Sequence, residues 1–268
     1  MNSGSVAATP AQDQLRLRAE LDEHGYVIIR DVVSKDRLSA FNALLQESYA
    51  HADPFRGGGS ISGHLNCFPG EGARTIYGDL DAHGIPDAIR SIRAPRPSPL
   101  RPTLNFNLPG SRAQHYHMDG VFVADYLICN VAVVDTDLVN GAIDVLPGTH
   151  QKFYPFWRYA IERKHRLSTR LPLSQGDVLL RTSTLWHRGM PNDSTAPRAM
   201  LSFTFGEEVV PAGDPFRANG GQISFYPNWY ASGRLGALRE RIEVKAPITR
   251  SAVRFARSLV GHRGYSSY

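Results

Sequence analysis

Cysteine is nearly absent from this 268-residue chain: only Cys67 and Cys129 occur. Two widely separated thiols cannot make a disulfide framework, and they suit a reducing compartment. No run approaches the roughly 18 consecutive apolar residues of a membrane helix, so an integral membrane protein is excluded as an expectation. Residues 1–10 lack the basic-then-apolar layout of a secretory leader and read as a flexible terminus, which makes the expected location cytoplasmic. A basic stripe is missing too. The formal charge is +5, but eight basic and two acidic residues from Arg234 onward carry +6, leaving the rest at −1. With no recognition motif in the centre, nucleic acid is not an expected partner. Disorder is excluded for the bulk, because 42% hydrophobic and 21% charged residues is ordinary globular composition.

The chain is long enough for one large domain. Residues 11–23 put Leu15, Leu17 and Leu21 among charges, as in a short amphipathic helix stopped by His24-Gly25. Tyr26 to Ile29 is a strand-like run. Ser34 is a good N-cap for a helix over about 34–50, with Leu38, Phe41, Leu44 and Leu45 on one face. Residues 51–75 are rich in glycine and polar residues and read as a lid, a binding loop or a disordered stretch. Residues 93–102 read as a stiff, proline-rich connector. From Thr103 the texture changes to short β-type runs: 103–108, 114–117, 126–134, 142–146, 177–180 and 199–205. Asn140-Gly141 between two of them is a hairpin signal. Several short strands at this spacing predict an all-β barrel or sandwich.

His117-Met118-Asp119 ends one of those runs. Residues i and i+2 of a strand face one side, so an imidazole and a carboxylate converge. His187, in another strand running into a turn, can supply a third ligand. Two histidines and one carboxylate leave open positions that suit ferrous iron. The same donors also suit zinc, so spacing alone does not choose the metal. Arg198 opens the next strand, where its planar fork can pair with the far carboxylate of a keto acid. Asn105, alternating with Thr103 and Asn107, and Ser202, at i+4 from Arg198, are candidates to assist it.

His117-x-Asp119, Asn140-Gly-Ala142, Leu146-Pro-Gly-Thr-His150, Gly176-Asp177, Trp186-His187 and Arg198 together resemble the phytanoyl-CoA dioxygenase family of Fe(II)/2-oxoglutarate oxygenases. The opening Gly25-Tyr-Val-Ile-Ile-Arg30 is similar to that family's N-terminal segment. The resemblance runs from about residue 20 to 206. It implies a mainly β double-stranded β-helix (a cupin-like jelly roll) with flanking helices. On that reading 11–268 is one oxygenase domain, with N-terminal helices and lid over 11–102, the jelly-roll core over 103–206 and an extension over 207–268. It implies that His117, Asp119 and His187 bind Fe(II) and that Arg198 binds 2-oxoglutarate. O2 is then the cosubstrate, and succinate and CO2 are released as a C–H bond of a small molecule is hydroxylated. A related halogenase subgroup has a small residue in place of the acidic ligand; Asp119 argues for oxidation without halogen. The alternatives are a jelly-roll metal- or sugar-binding protein that oxidises nothing, and a zinc cupin-like isomerase.

Other residues have bland readings beside sharp ones. His115, at i−2 from His117, is expected to face the same way, either as a structural histidine or near substrate. His150 is expected to order its turn and Trp186 to pack. The aromatic run from Phe153 to Tyr159 is expected in the core or as a pocket wall, and His64 in a solvated loop or at substrate. Arg56, Arg74, Arg158 and Arg163 favour an anionic substrate. The C-terminal stretch with Val253, Phe255, Leu259 and Val260 among Arg250, Arg254 and Arg257 reads as a helix packed on the jelly roll, or as one lying on anionic lipid.

Overall fold

The structure, a computed structural model, describes residues 10–52, 62–92, 100–122, 126–205, 213–227 and 233–260. The elements in chain order are α1 (Pro10–His24), β1 (Tyr26–Ile29), α2 (Lys35–Ala50), β2 (His64–Phe68), α3 (Gly72–Ala82), α4 (Ile85–Ile92) and β3 (Arg101–Asn107). There follow β4 (Leu127–Ala132), β5 (Ile143–Val145), α5 (Phe156–Ile161), β6 (Thr169–Leu171), β7 (Val178–Thr182), β8 (His187–Arg188) and β9 (Arg198–Phe205). The last are β10 (Ser224–Pro227), α6 (Gly233–Lys245) and α7 (Pro247–Leu259). Among these no helix is long and apolar enough to cross a membrane.

Seven strands form one sheet in the order β1-β7-β4-β9-β3-β2-β10, and three form a second in the order β6-β5-β8. The strand pairs are antiparallel. This is the sheet-rich jelly roll with flanking helices that the sequence suggested. The larger sheet draws on segments outside 103–206, namely β1, β2 and β10.

Strand parity sets what each face does. Leu104 and Phe106 of β3, Cys129 and Val131 of β4, Val178 and Leu180 of β7, and Ala199, Leu201 and Phe203 of β9 point to one side. There they join Leu38, Phe41 and Leu45 of α2 and Ala73, Ile76 and Leu80 of α3 in the main core. The alternate residues point the other way. Ala132, Leu179 and Met200 meet Val145 and Leu171 of the small sheet in a second core. Beyond that core the same face carries Thr103, Asn105, Asn130, Arg181, Arg198 and Ser202 along one cavity. One register therefore places an apolar layer on the helices and a polar lining inside.

The Gly176-Asp177 pair joins the two layers. The Gly176 carbonyl accepts from the backbone N–H groups of Val32 and Val33 at 3.0 and 3.1 Å. Gly176 has φ +95°, and a Cβ there would lie 2.6 Å from the Val33 carbonyl oxygen. Only glycine takes both that conformation and that approach cheaply. Buried Asp177 accepts from the Ser174 N–H at 2.9 Å, the Asp31 N–H at 3.1 Å and the Arg30 guanidinium.

Several local expectations need correction. Residues 62–75 are not an irregular loop: β2 pairs with β3 and β10, and α3 begins at Gly72. His-Leu-Asn-Cys-Phe has strand alternation, and α3 is anchored by its apolar stripe Ala73, Ile76, Leu80. The lid reading of 53–61 and the connector reading of 93–99 lie outside the described residues, while residues 101 and 102 already belong to β3. Asn140-Gly141 makes a turn but no hairpin, because β4 and β5 belong to different sheets. Residues 114–117 form no continuous strand; His117 makes a single bridge with His187. The C-terminal helix is formed, and it packs through its arginines rather than its aliphatic residues. In α7 Arg250 and Arg254 are the buried residues, whereas Val253, Leu259 and Val260 are exposed. The inward face is set by partners: Arg250 Nη1 donates to Glu243 Oε2 at 3.0 Å, and the Arg254 guanidinium lies 4.1 Å from the Phe156 ring centre.

Candidate metal centre

Two backbone hydrogen bonds bring the predicted ligands together. The His117 N–H donates to the His187 carbonyl at 2.9 Å, and the His187 N–H returns to the His117 carbonyl at 2.8 Å. The Asp119 N–H then donates to the Ser183 carbonyl at 2.9 Å. Residues 70 positions apart are thus paired face to face. One donor atom from each of His117, Asp119 and His187 lies within 4.8 Å of the other two.

The tautomers follow from the neighbours. His117 Nδ1 is 2.8 Å from the His115 carbonyl, and His187 Nδ1 is 3.0 Å from the Leu185 carbonyl. A carbonyl only accepts, so each Nδ1 carries the proton and each Nε2 keeps its lone pair. His187 Nε2 faces Asp119 Oδ2 at 3.6 Å. Burial lowers the pKa of both imidazoles, that of His187 well below the ordinary value, and so favours the neutral, ligating form. Burial pushes the Asp119 carboxyl up, but Arg181, His187 and His117 outweigh it and hold the group ionised well below its usual range. Two neutral imidazoles and one carboxylate are a donor set that fits a divalent iron.

Arg181 was not singled out by the sequence reading. Its Nη2 donates to Asp119 Oδ2 at 2.6 Å and its Nε to Asn130 Oδ1 at 2.9 Å. Asn130 Nδ2 passes the chain on to Ser202 Oγ at 2.6 Å. The signal was a lone arginine inside the apolar strand Val-Leu-Leu-Arg-Thr. Arg181→Gln is expected to weaken ferrous iron binding by about 10- to 100-fold, because the ligand carboxylate loses the group that orients it. Anaerobic iron titration checks this, and Arg181→Lys should recover part of the loss.

Arg198, Asn105 and Ser202 share one cavity of about 510 Å³ with all three ligands. Arg198 is 4% exposed. Its Nη1 donates to Asn105 Oδ1 and its Nη2 to the Gly141 carbonyl, both at 3.2 Å, while its buried Nε has no partner among the described residues. No carboxylate pairs with it there, and burial lowers its pKa to about 10, with Arg170 adding to the shift. A buried guanidinium supported only by neutral acceptors fits an incoming carboxylate. Gly141 stands at φ +91°, where a Cβ would lie 2.7 Å from the Met190 carbonyl oxygen. That tight turn is what presents its own carbonyl to Arg198.

The remaining candidates separate cleanly. Asn107 is fully buried and donates to the Met190 carbonyl at 3.0 Å. His150 Nε2 donates to the Asp22 carbonyl at 3.1 Å, ordering the contact with the end of α1. Trp186 packs with Tyr116, Met118 and Leu146, and Phe153, Tyr154, Phe156 and Tyr159 cover that cluster. His115 lines a second cavity of about 540 Å³, which meets the first at Gln114 and His117. Burial lowers its pKa to about 3, with Arg250 and Arg254 adding to the shift. Of the arginines that favoured an anionic substrate, Arg74, Arg158 and Arg163 line neither cavity, and Arg56 lies outside the described residues.

His64 is not in a solvated loop. It is 1% exposed in β2, and its Nε2–H donates to the Arg112 carbonyl at 2.7 Å. Burial lowers its pKa to about 4 from 6.5. The unfolded chain therefore binds a proton that the folded chain refuses. The stability that neutral His64 contributes is complete above about pH 6.5 and is lost as pH falls toward 4, at about 3 kcal/mol over that window. His64→Gln keeps a donor for the Arg112 carbonyl and removes the titration. Urea midpoints between pH 4 and 7 should accordingly fall less steeply in the variant than in the parent.

The comparisons agree with this geometry. The family model described as phytanoyl-CoA dioxygenase (PhyH) matches residues 21–200. A methylphosphonate hydroxylase from Gimesia maris is 24% identical over 129 residues, which is 45% of this chain and 50% of that protein. The match thus spans half the length of that curated relative. Among solved structures, the epimerase SnoN in complex with Fe3+, alpha ketoglutarate and nogalamycin RO aligns with a TM-score of 0.57 at 20% identity, over 78% of this chain and 90% of its own. HygX from Streptomyces hygroscopicus, with nickel, 2-oxoglutarate and hygromycin B bound, aligns with a TM-score of 0.51 at 15% identity, over 75% and 88%. At these identities the structural likenesses establish the fold. The family match, which spans His117, Asp119, His187 and Arg198, makes this chain a member of the phytanoyl-CoA dioxygenase family.

Proposed function

We propose that this protein is an Fe(II)- and 2-oxoglutarate-dependent dioxygenase that hydroxylates a C–H bond of a small molecule. The observation that carries the reading is one cavity holding two kinds of apparatus. At one place are three convergent metal donors, and elsewhere on the same lining is a buried guanidinium with no carboxylate partner among the described residues. When bound, iron and 2-oxoglutarate supply the oxidant, with O2 consumed and succinate and CO2 released.

The chain's own residues do the rest. His117, Asp119 and His187 would hold the metal, each imidazole fixed by a backbone carbonyl and the carboxylate by Arg181. Arg198 would take the far carboxylate of 2-oxoglutarate. Asn105 and the Gly141 carbonyl hold that guanidinium in place, and Ser202 belongs to the network reaching Arg181. Arg181, His187 and Arg198 are buried, which strengthens their charge interactions. Asp119 fills a position that a halide would otherwise need, which supports oxygen insertion over halogenation. The hydroxylase name of the Gimesia maris relative supports hydroxylation over the epimerisation named for SnoN.

Arg74, Arg158 and Arg163, which first suggested an anionic substrate, line neither cavity, so the preference is read from the cavities' own charges. The test is succinate formation from 2-oxoglutarate by the purified protein. It is expected to require both added Fe(II) and O2, and absence of iron-dependent succinate would defeat the proposal.

A further inference from the structure

The second cavity has a wall built by α6 and α7, and one charge in that wall stands out. Glu240 is 3% exposed. Its Oε1 accepts from the Ser62 N–H at 3.1 Å and from the Ser62 hydroxyl at 2.8 Å. Its Oε2 is buried and has no hydrogen-bond partner among the described residues. The neighbouring cation is already committed: Arg250 donates to Glu243 at 3.0 Å, and both line the same cavity. A carboxylate removed from water costs several kcal/mol unless a positive charge or strong donors replace its hydration. Ser62 does this for one oxygen only. The other oxygen is left without a donor among the described residues, on a residue that lines the same cavity as the metal-ligand candidate His117.

We propose that this cavity is the substrate chamber and that Glu240 seats a protonated amine of the substrate on Oε2. The inference rests on the iron- and 2-oxoglutarate-dependent reading, which makes the His117 end of the chamber the reacting end. The rest of the chamber suits a polar, ring-sized molecule. Gln114, His115 and Ser111 offer hydrogen bonds, and Val244 and Pro247 offer a short apolar edge. Arg112 Nη1 donates to the Val244 carbonyl at 3.2 Å, tying α6 to the segment that carries His115 and His117. Substrate charge is thereby read on α6 while the chemistry lies on the jelly roll.

Three probes on one six-membered scaffold isolate charge: 2-deoxystreptamine, myo-inositol and myo-inositol 1-phosphate. Their affinities are measured by calorimetry under argon on intact protein loaded with Fe(II) and 2-oxoglutarate. The diamine is expected to bind at least about tenfold more tightly than the neutral polyol, with the phosphate weakest. Glu240→Gln is expected to erase that tenfold difference. Equal affinities, a preference for the phosphate, no binding of any probe, or a Glu240→Gln protein that keeps the amine preference would each overturn the proposal. The order of the three probes is read on the unmodified protein, so it holds even if the variant fails to fold. Failure of the underlying reading shows earlier and separately, as protein that does not take up Fe(II) and 2-oxoglutarate before any probe is added.

Discussion

His187→Ala protein should bind ferrous iron at least about 100-fold more weakly than the parent and form no iron-dependent succinate. Losing a group that merely orients a ligand already costs about 10- to 100-fold, so losing a ligand costs more. His117→Ala and Asp119→Ala should behave alike, since the three donors form one set within 4.8 Å. Asp119→Ala has an added signature. It leaves Arg181 a buried cation without its carboxylate, and the protein should lose about 3 kcal/mol of stability besides its metal, because breaking one side of a buried pair strands the other. Anaerobic titration with Fe(II) and a denaturant curve on the same samples separate the two losses. Undiminished iron binding in any of the three variants would remove the basis for the metal centre.

Arg198→Ala should raise the KM for 2-oxoglutarate on the order of 100- to 1000-fold while ferrous iron alone still binds. Truncating one partner of a desolvated charge pair costs about 2 to 5 kcal/mol, and the groups around Arg198 are neutral acceptors that cannot replace it. Arg198→Lys should restore only part of the affinity, because a point charge cannot make a forked pair. The measurement also divides the mechanistic classes. A zinc isomerase of the same fold has no reason to bind a keto acid through Arg198. A keto-acid affinity that is indifferent to Arg198 would return that reading to consideration.

Much of the centre was legible because its chemistry is local or regularly spaced. His117-x-Asp119 needs only strand parity to converge, and Trp186-His187 and Arg198 lie on consecutive strands. The polar lining was harder to see. In β4 every residue is buried, so the alternation that tells helix side from cavity side is masked along Leu-Ile-Cys-Asn-Val-Ala. Arg181 left a trace, a single charge in an apolar strand, but the carboxylate it serves is 62 residues away. Helix α3 was hidden by its own glycines, Gly72 and Gly78, and is held by packing on α2 rather than by propensity. The C-terminal helices could not be oriented from pattern alone. Arg-Glu-Arg in α6 reads as a solvated face, yet Glu240 is buried and bonded by Ser62, which lies 178 residues away.

The doubled backbone bond between residues 117 and 187 bears on metal choice. The two residues are held by the pair of backbone hydrogen bonds they exchange, a tie that does not depend on an ion. Chelator-treated protein should keep its circular dichroism spectrum. A ready-made cradle also discriminates poorly among similar cations, because little rearrangement is available to penalise a wrong one, and nickel or copper would bind by intrinsic strength. Occupancy would then be governed by which ion the protein's surroundings supply, not by the cradle itself.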